Sequence, residues 1–193
     1  HVEPVNLFRD RFLFNFPGLG DLEVYPNRDS LSYIDIYKIP EVSTMYRGTF
    51  RYPGWCETLD LMKQLNMLDD STADYRGVSY KTFLARQAGL DKAGLRNALA
   101  EKFALAYDSV PLRSLEFLGF FSDEQINRAS SSPFEIVSDR MIEKMSLGSG
   151  ERDMVVMQHI FFAEYPGGKR EVIVSSMLAF GSVSTDTAIS RTV

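Results

Sequence analysis

The sequence predicts an α+β domain: a mostly antiparallel sheet built from both ends of the chain, with an all-helical insertion in the middle. Three observations carry this. Short strand-like runs broken by Pro and Gly fill the first part, apolar residues at helical spacing dominate the middle, and two long strand-like runs around Pro166-Gly-Gly-Lys169 come near the end. The sheet is assigned to about residues 20–53 and 152–183, and the helical part to about 55–147, within one domain over 1–193.

Pro17-Gly18-Leu19-Gly20 reads as a turn, and Leu22–Tyr25 as a short strand stopped by Pro26-Asn27. Ser30–Tyr37 reads as a short helix capped by Asp29 or Ser30. Thr44–Tyr52 is the clearest early strand, ended by Pro53-Gly54. From Trp55 the period changes: Leu59, Leu61, Met62, Leu65 and Met67 fall at helical spacing. Further helices are predicted over Tyr80–Gln87, Leu95–Leu105 and Leu112–Leu118. Ser122-Asp-Glu-Gln125 and Ser132-Pro-Phe-Glu135 both have the form of a reciprocal cap, and the second should open a helix to about Met145. After a loop at Leu147–Glu151, strands Asp153–Tyr165 and Arg170–Leu178 make a hairpin. Ser184–Val193 reads as a helix that the chain cuts short.

Composition narrows the function. With 45% hydrophobic and 24% charged residues the chain is ordinary globular material. A net charge of −5, with no Lys/Arg run longer than two, argues against nucleic acid. No apolar run approaches the roughly 20 residues needed to span a bilayer. The single cysteine, Cys56, permits no intrachain disulfide, and no signal peptide is visible; the expected setting is cytoplasmic. No glycine-rich strand–loop–helix motif is present to cradle a nucleotide. His1 and His159 are the only histidines, so no metal set is assigned and no catalytic residue is nominated. His159, mid-strand in an apolar run, is expected to be a paired, half-buried sheet residue. Cys56 is expected to be a small core hydrophobe, the alternative being a thiol activated at a helix start.

The most informative segment is Arg47-Gly-Thr-Phe-Arg-Tyr52. On a strand, Arg47, Thr49 and Arg51 point one way and Gly48, Phe50 and Tyr52 the other. The two arginines lie about 13 Å apart at their Cα atoms, with a hydroxyl between. Guanidinium forks grip carboxylates bidentately, and Gly48 permits close backbone approach. Pro26-Asn-Arg-Asp29 offers Arg28 from a turn. A ligand with several carboxylates suits this pattern; ordinary surface ion pairing would explain the same residues.

Tyr25-Pro-Asn-Arg-Asp-Ser30, Ile34 and Tyr37, Arg47–Tyr52 and the stretch from Gly54 to Leu65 resemble the saccharopine dehydrogenases of the NADP-dependent, L-glutamate-forming type. The Met154–His159 strand and Ser184–Val193 are also similar to that family's inserted domain. The resemblance implies a substrate-binding and dimerisation domain inserted in a Rossmann enzyme of lysine metabolism. Such an enzyme reductively condenses L-glutamate with 2-aminoadipate 6-semialdehyde to saccharopine, or catalyses the reverse. It implies substrate contacts at Arg28, Thr49, Phe50 (through its backbone) and Arg51, with Asn27, Arg47 and Tyr52 as secondary candidates. It further implies NADP bound by a domain outside these residues, a homodimer, and a fragment inactive alone. Phe50 and Trp55 stand where the family more often has Leu and Phe. Two alternatives stay open: the substrate domain of a carboxynorspermidine-type dehydrogenase, and a non-catalytic carboxylate-binding or dimerisation module.

Overall fold

The computed structural model describes residues 3, 6–26, 29–182 and 187–188, arranged in two units, His1–Lys144 and Met145–Val193. The first unit opens with a strand that the sequence reading does not foresee, β1 (Phe12–Phe16). It turns through Pro17–Leu19 into β2 (Gly20–Pro26), which pairs on its other edge with β3 (Gly48–Arg51). All pairing is antiparallel. Phe12, Phe14, Phe16, Leu22, Val24 and Phe50 share one face by register, and the rings of Phe14 and Phe16 lie 5.5 and 6.0 Å from that of Phe50. β3 is shorter than the predicted Thr44–Tyr52. Its ladder ends where Gly48 meets Pro26, a residue with no N–H to extend it.

The described residues form six helices. α1 (Ser32–Tyr37) buries no residue; the Asp29 carboxylate accepts from the backbone N–H and the hydroxyl of Ser32. α2 (Trp55–Gln64), α3 (Tyr80–Ala88), α4 (Leu95–Lys102), α5 (Val110–Phe117) and α6 (Pro133–Met145) form the helical part. The Ser132–Glu135 cap is reciprocal, as predicted: Ser132 N–H donates to Glu135 Oε2 at 2.8 Å, and Glu135 N–H to Ser132 Oγ at 3.2 Å. Met62, Leu65, Phe83, Leu99, Leu115 and Ile136 are among the residues buried together between these helices. Truncating any one to Ala removes about 2–5 kcal/mol. α2 packs against both α5 and β2, which ties the helical core to the sheet.

The predicted helix start at Ser122–Gln125 is not formed. Its backbone is taken by the entry to α3: Lys81 N–H donates to Ser122 O at 2.9 Å, Tyr80 N–H to Glu124 O at 3.0 Å, and Ile126 N–H to Val78 O at 2.9 Å. The Ser122 hydroxyl is buried with no partner among the described residues, so it caps nothing.

The second unit holds β4 (Met154–Glu164) and β5 (Arg170–Phe180), paired residue for residue from Met154↔Phe180 to Glu164↔Arg170. The fold is α+β with antiparallel strands, but the described strands form two sheets rather than the single sheet expected. Alternation identifies each strand without naming its partner, and here β4 and β5 satisfy each other along all 11 residues. His159 faces Ser175 across the hairpin and is exposed, not half-buried. The predicted terminal helix lies outside the described residues apart from Thr187 and Ala188, where the Ala188 N–H donates to both oxygens of Asp153 at 2.9 Å.

Candidate functional site at the β3 to α2 junction

β3 runs through Tyr52-Pro53-Gly54 into α2. Gly54 has φ of 97°, a left-handed conformation open to glycine, and a Cβ there would overlap Val110. Close approach also explains Gly48, where a Cβ would stand 2.5 Å from Val24 Cγ1. Register places Thr49 opposite Tyr25 and Arg51 opposite Glu23 on one face of the sheet. Phe50 turns its ring to the other, apolar face.

Glu23 is the residue that sequence reasoning missed. It is 3% exposed, and its carboxylate fills the start of α2. Oε1 accepts from Gly54 N–H at 3.1 Å, and Oε2 from Cys56 N–H at 2.9 Å. Arg11 Nε donates to Oε1 at 3.1 Å and bridges onward to Glu57 at 2.7 Å. Burial pushes the Glu23 carboxyl up. The N–H groups of Cys56 and Gly54, the Cys56 side chain and the Arg11 charge outweigh burial and hold it below its ordinary value. The strand Leu22–Tyr25 places Glu23 on the face opposite Leu22 and Val24, but nothing in the sequence marks that face as covered at this point.

Arg51 is exposed and lies over the Trp55 ring, 5.3 Å from its centroid, with Nη1 donating to Phe50 O at 2.8 Å. It makes no ion pair among the described residues. Arg47 precedes the strand and is directed elsewhere: it lies 5.5 Å from the Tyr33 ring centroid and donates to the Tyr33 hydroxyl at 3.1 Å. The two arginines therefore rest on different helices, α1 and α2. Tyr52 follows the strand and is exposed. Asn27 and Arg28 lie outside the described residues.

Cys56 is fully buried, and burial, aided by the hydrogen bond to Glu23 and its charge, pushes the thiol up to about 12. It is a core residue, and its place at a helix start does not activate it. Among the described residues no group of three or more His, Cys, Asp or Glu could hold a metal ion. A cleft of about 440 Å³ lies beside the junction, lined by Arg9, Arg11, Glu23, Gly54 and Glu57, but Thr49 and Arg51 do not line it. Its charges are satisfied internally, Arg11 by Glu23 and Glu57 and Arg9 by Asp60. The surface around Arg51 is thus an open platform that can hold a carboxylate from one side.

A family model described as the saccharopine dehydrogenase C-terminal domain matches residues 1–193. The chain belongs to the saccharopine dehydrogenase C-terminal domain family. It is 34% identical over 185 residues to the mitochondrial alpha-aminoadipic semialdehyde synthase of Bos taurus, covering 92% of this chain and 20% of that protein. It is 31% identical over 191 residues to the saccharopine dehydrogenase (NADP(+), L-glutamate-forming) of Saccharomyces cerevisiae, covering 93% of this chain and 42% of that one. The solved apo saccharopine dehydrogenase (L-Glu forming) of the same yeast superposes with a TM-score of 0.83 at 29% identity, over 97% of this chain and 44% of that chain. The chain thus spans a fifth to less than half the length of these relatives. In this saccharopine dehydrogenase C-terminal domain, the described residues that carry the resemblance from Tyr25 to Leu65 lie on or next to β2, α1, β3 and α2, all in the first unit.

Proposed function

We propose that this domain presents the substrate-anchoring surface of an NADP-dependent oxidoreductase. That enzyme reductively condenses L-glutamate with 2-aminoadipate 6-semialdehyde to saccharopine, or cleaves saccharopine in the reverse direction. The observation that carries this reading is the yeast relative named saccharopine dehydrogenase (NADP(+), L-glutamate-forming), which matches along 93% of this chain. The site chemistry supports it. Saccharopine bears three carboxylates, and bringing a carboxylate out of water requires a paired cation. Arg51 presents a guanidinium that lies 5.3 Å from the Trp55 ring centroid and whose Nη1 donates to Phe50 O, so less freedom is lost on pairing. Thr49 adds a hydroxyl on the same face, Phe50 contributes backbone, and Arg28 is assigned a second carboxylate. Asn27, Arg47 and Tyr52 are secondary contacts.

NADP is assigned to a part of the full-length enzyme outside these residues. At the β3 to α2 junction the helix start is already filled by the Glu23 carboxylate, which would repel a pyrophosphate. This domain alone is expected to be inactive. We further propose a homodimer in the cytoplasm, a reducing setting that suits the lone buried Cys56. The hairpin face carrying Ile160, Phe162, Val172 and Val174 supports self-association; Phe162 is 81% exposed. The test of the reading is an assay of the full-length parent enzyme with saccharopine and NADP+. Release of L-glutamate is expected, and no turnover in either direction would refute the assignment.

A further inference from the structure

We propose that Glu23 is a positioning residue for Arg51: it fixes the backbone on both sides of Trp55, and Trp55 sets where the Arg51 guanidinium lies. This rests on reading Arg51 as a substrate contact.

Glu23 stands directly opposite Arg51 in the β2–β3 register. A Glu and an Arg so placed ordinarily pair with each other. Here they do not. Both Glu23 oxygens are drawn to the start of α2, where Gly54 and Cys56 donate at 3.1 and 2.9 Å, and Arg11 binds the carboxylate at 3.1 Å. Two consequences follow. Arg51 is left without a carboxylate from its own cross-strand neighbour, and so remains available for an incoming one. The residues on either side of Trp55 are clamped by a single side chain, and the Trp55 ring is the surface on which Arg51 rests at 5.3 Å. Displacing that ring re-aims the guanidinium, and small misplacements of a substrate-positioning group weaken binding steeply.

Glu23→Gln is the discriminating variant. The amide keeps one acceptor and turns an NH2 toward a backbone N–H, so one of the two clamps is lost along with the charge that holds Arg11. In the full-length enzyme, the expected result is a rise of about tenfold in KM for saccharopine, equivalent to about 1.4 kcal/mol, with kcat and KM for NADP+ within about twofold. Combining it with Arg51→Ala should add nothing to the effect of Arg51→Ala alone, because both act through one contact. An unchanged saccharopine KM in Glu23→Gln, with a raised one in Arg51→Ala, overturns the positioning role and leaves the site intact. An unchanged KM in Arg51→Ala overturns the site itself, and the proposal with it. A drop in kcat with both KM values altered together shows a merely structural role and also overturns it. Should Glu23→Gln not fold, Glu23→Asp carries the same test. It keeps the charge and both oxygens but withdraws them by one methylene, so a selective rise in saccharopine KM supports the proposal and an unchanged value sinks it.

Discussion

Replacing Glu23 by Gln should lower stability at neutral pH and lose that effect in acid. Wild-type Glu23 accepts two backbone N–H groups and the Arg11 guanidinium while 3% exposed. A hydrogen bond to a charged group contributes about 1.5–3 kcal/mol, and the Gln variant forfeits one together with the ionic part of the others, so a deficit of about 3 kcal/mol is expected. In a chain of this size that corresponds to a fall in Tm of roughly 6–12 °C. The pH dependence has a definite sign. The folded carboxyl titrates below the ordinary 4.5, so its contribution is complete above about that value and is lost as pH falls through the lowered folded value. Other depressed carboxyls, such as Asp74 near 2, and Glu135, titrate equally in both proteins and cancel in the difference. The assay is urea unfolding followed by tryptophan fluorescence between pH 7 and pH 3. Trp55 is the only tryptophan and lies between the two clamped residues, so it reports this unit directly. A gap between wild type and variant that stays constant down to pH 3 would show that the carboxylate is not ionised and clamped as described.

Three further outcomes are expected. Gly54→Ala, at a φ of 97° and against Val110, should destabilise by more than about 1 kcal/mol in the same assay. Cys56, with its thiol raised to about 12 and fully buried, should resist a maleimide at pH 8 until urea unfolds the chain; labelling of the native protein at the unfolded rate would contradict this. Phe162→Glu in the full-length enzyme should shift the sedimenting species from dimer to monomer, while an unaltered dimer would move the interface away from that hairpin face.

Local chemistry was legible in the sequence, and non-local pairing was not. The Ser132–Glu135 cap and the Pro166–Lys169 turn act within a few residues and are found as read. The alternation of Thr49, Phe50 and Arg51 is a property of any strand, and Phe50 does face away from the other two. Ser122–Gln125 carries the same cap signature as Ser132–Glu135, yet backbone bonds to Val78, Tyr80 and Lys81, about forty residues earlier, take its place. β1 leaves no clear mark in the sequence because Phe12-Leu-Phe-Asn-Phe16 is nearly continuously apolar and shows no clean alternation. The sequence places Arg47 on the strand, but Pro26 on the neighbouring β2 ends the ladder at Gly48. Glu23 was invisible for a related reason: its partners Gly54 and Cys56 lie 31 and 33 residues away, and a lone Glu in a short strand ordinarily faces water.

The central claim, that Arg51 grips one carboxylate of the substrate, is tested most directly by pairing an enzyme variant with a substrate variant. The full-length enzyme and its Arg51→Ala form are assayed with saccharopine and with analogues in which one carboxylate at a time is a carboxamide. A charge-assisted pair is worth about 1.5–3 kcal/mol, so the wild type should lose roughly 10- to 150-fold in kcat/KM when the gripped carboxylate is neutralised. In Arg51→Ala that penalty should fall to nearly onefold for this carboxylate alone and persist for the other two. Equal penalties at all three positions in both enzymes would contradict the account.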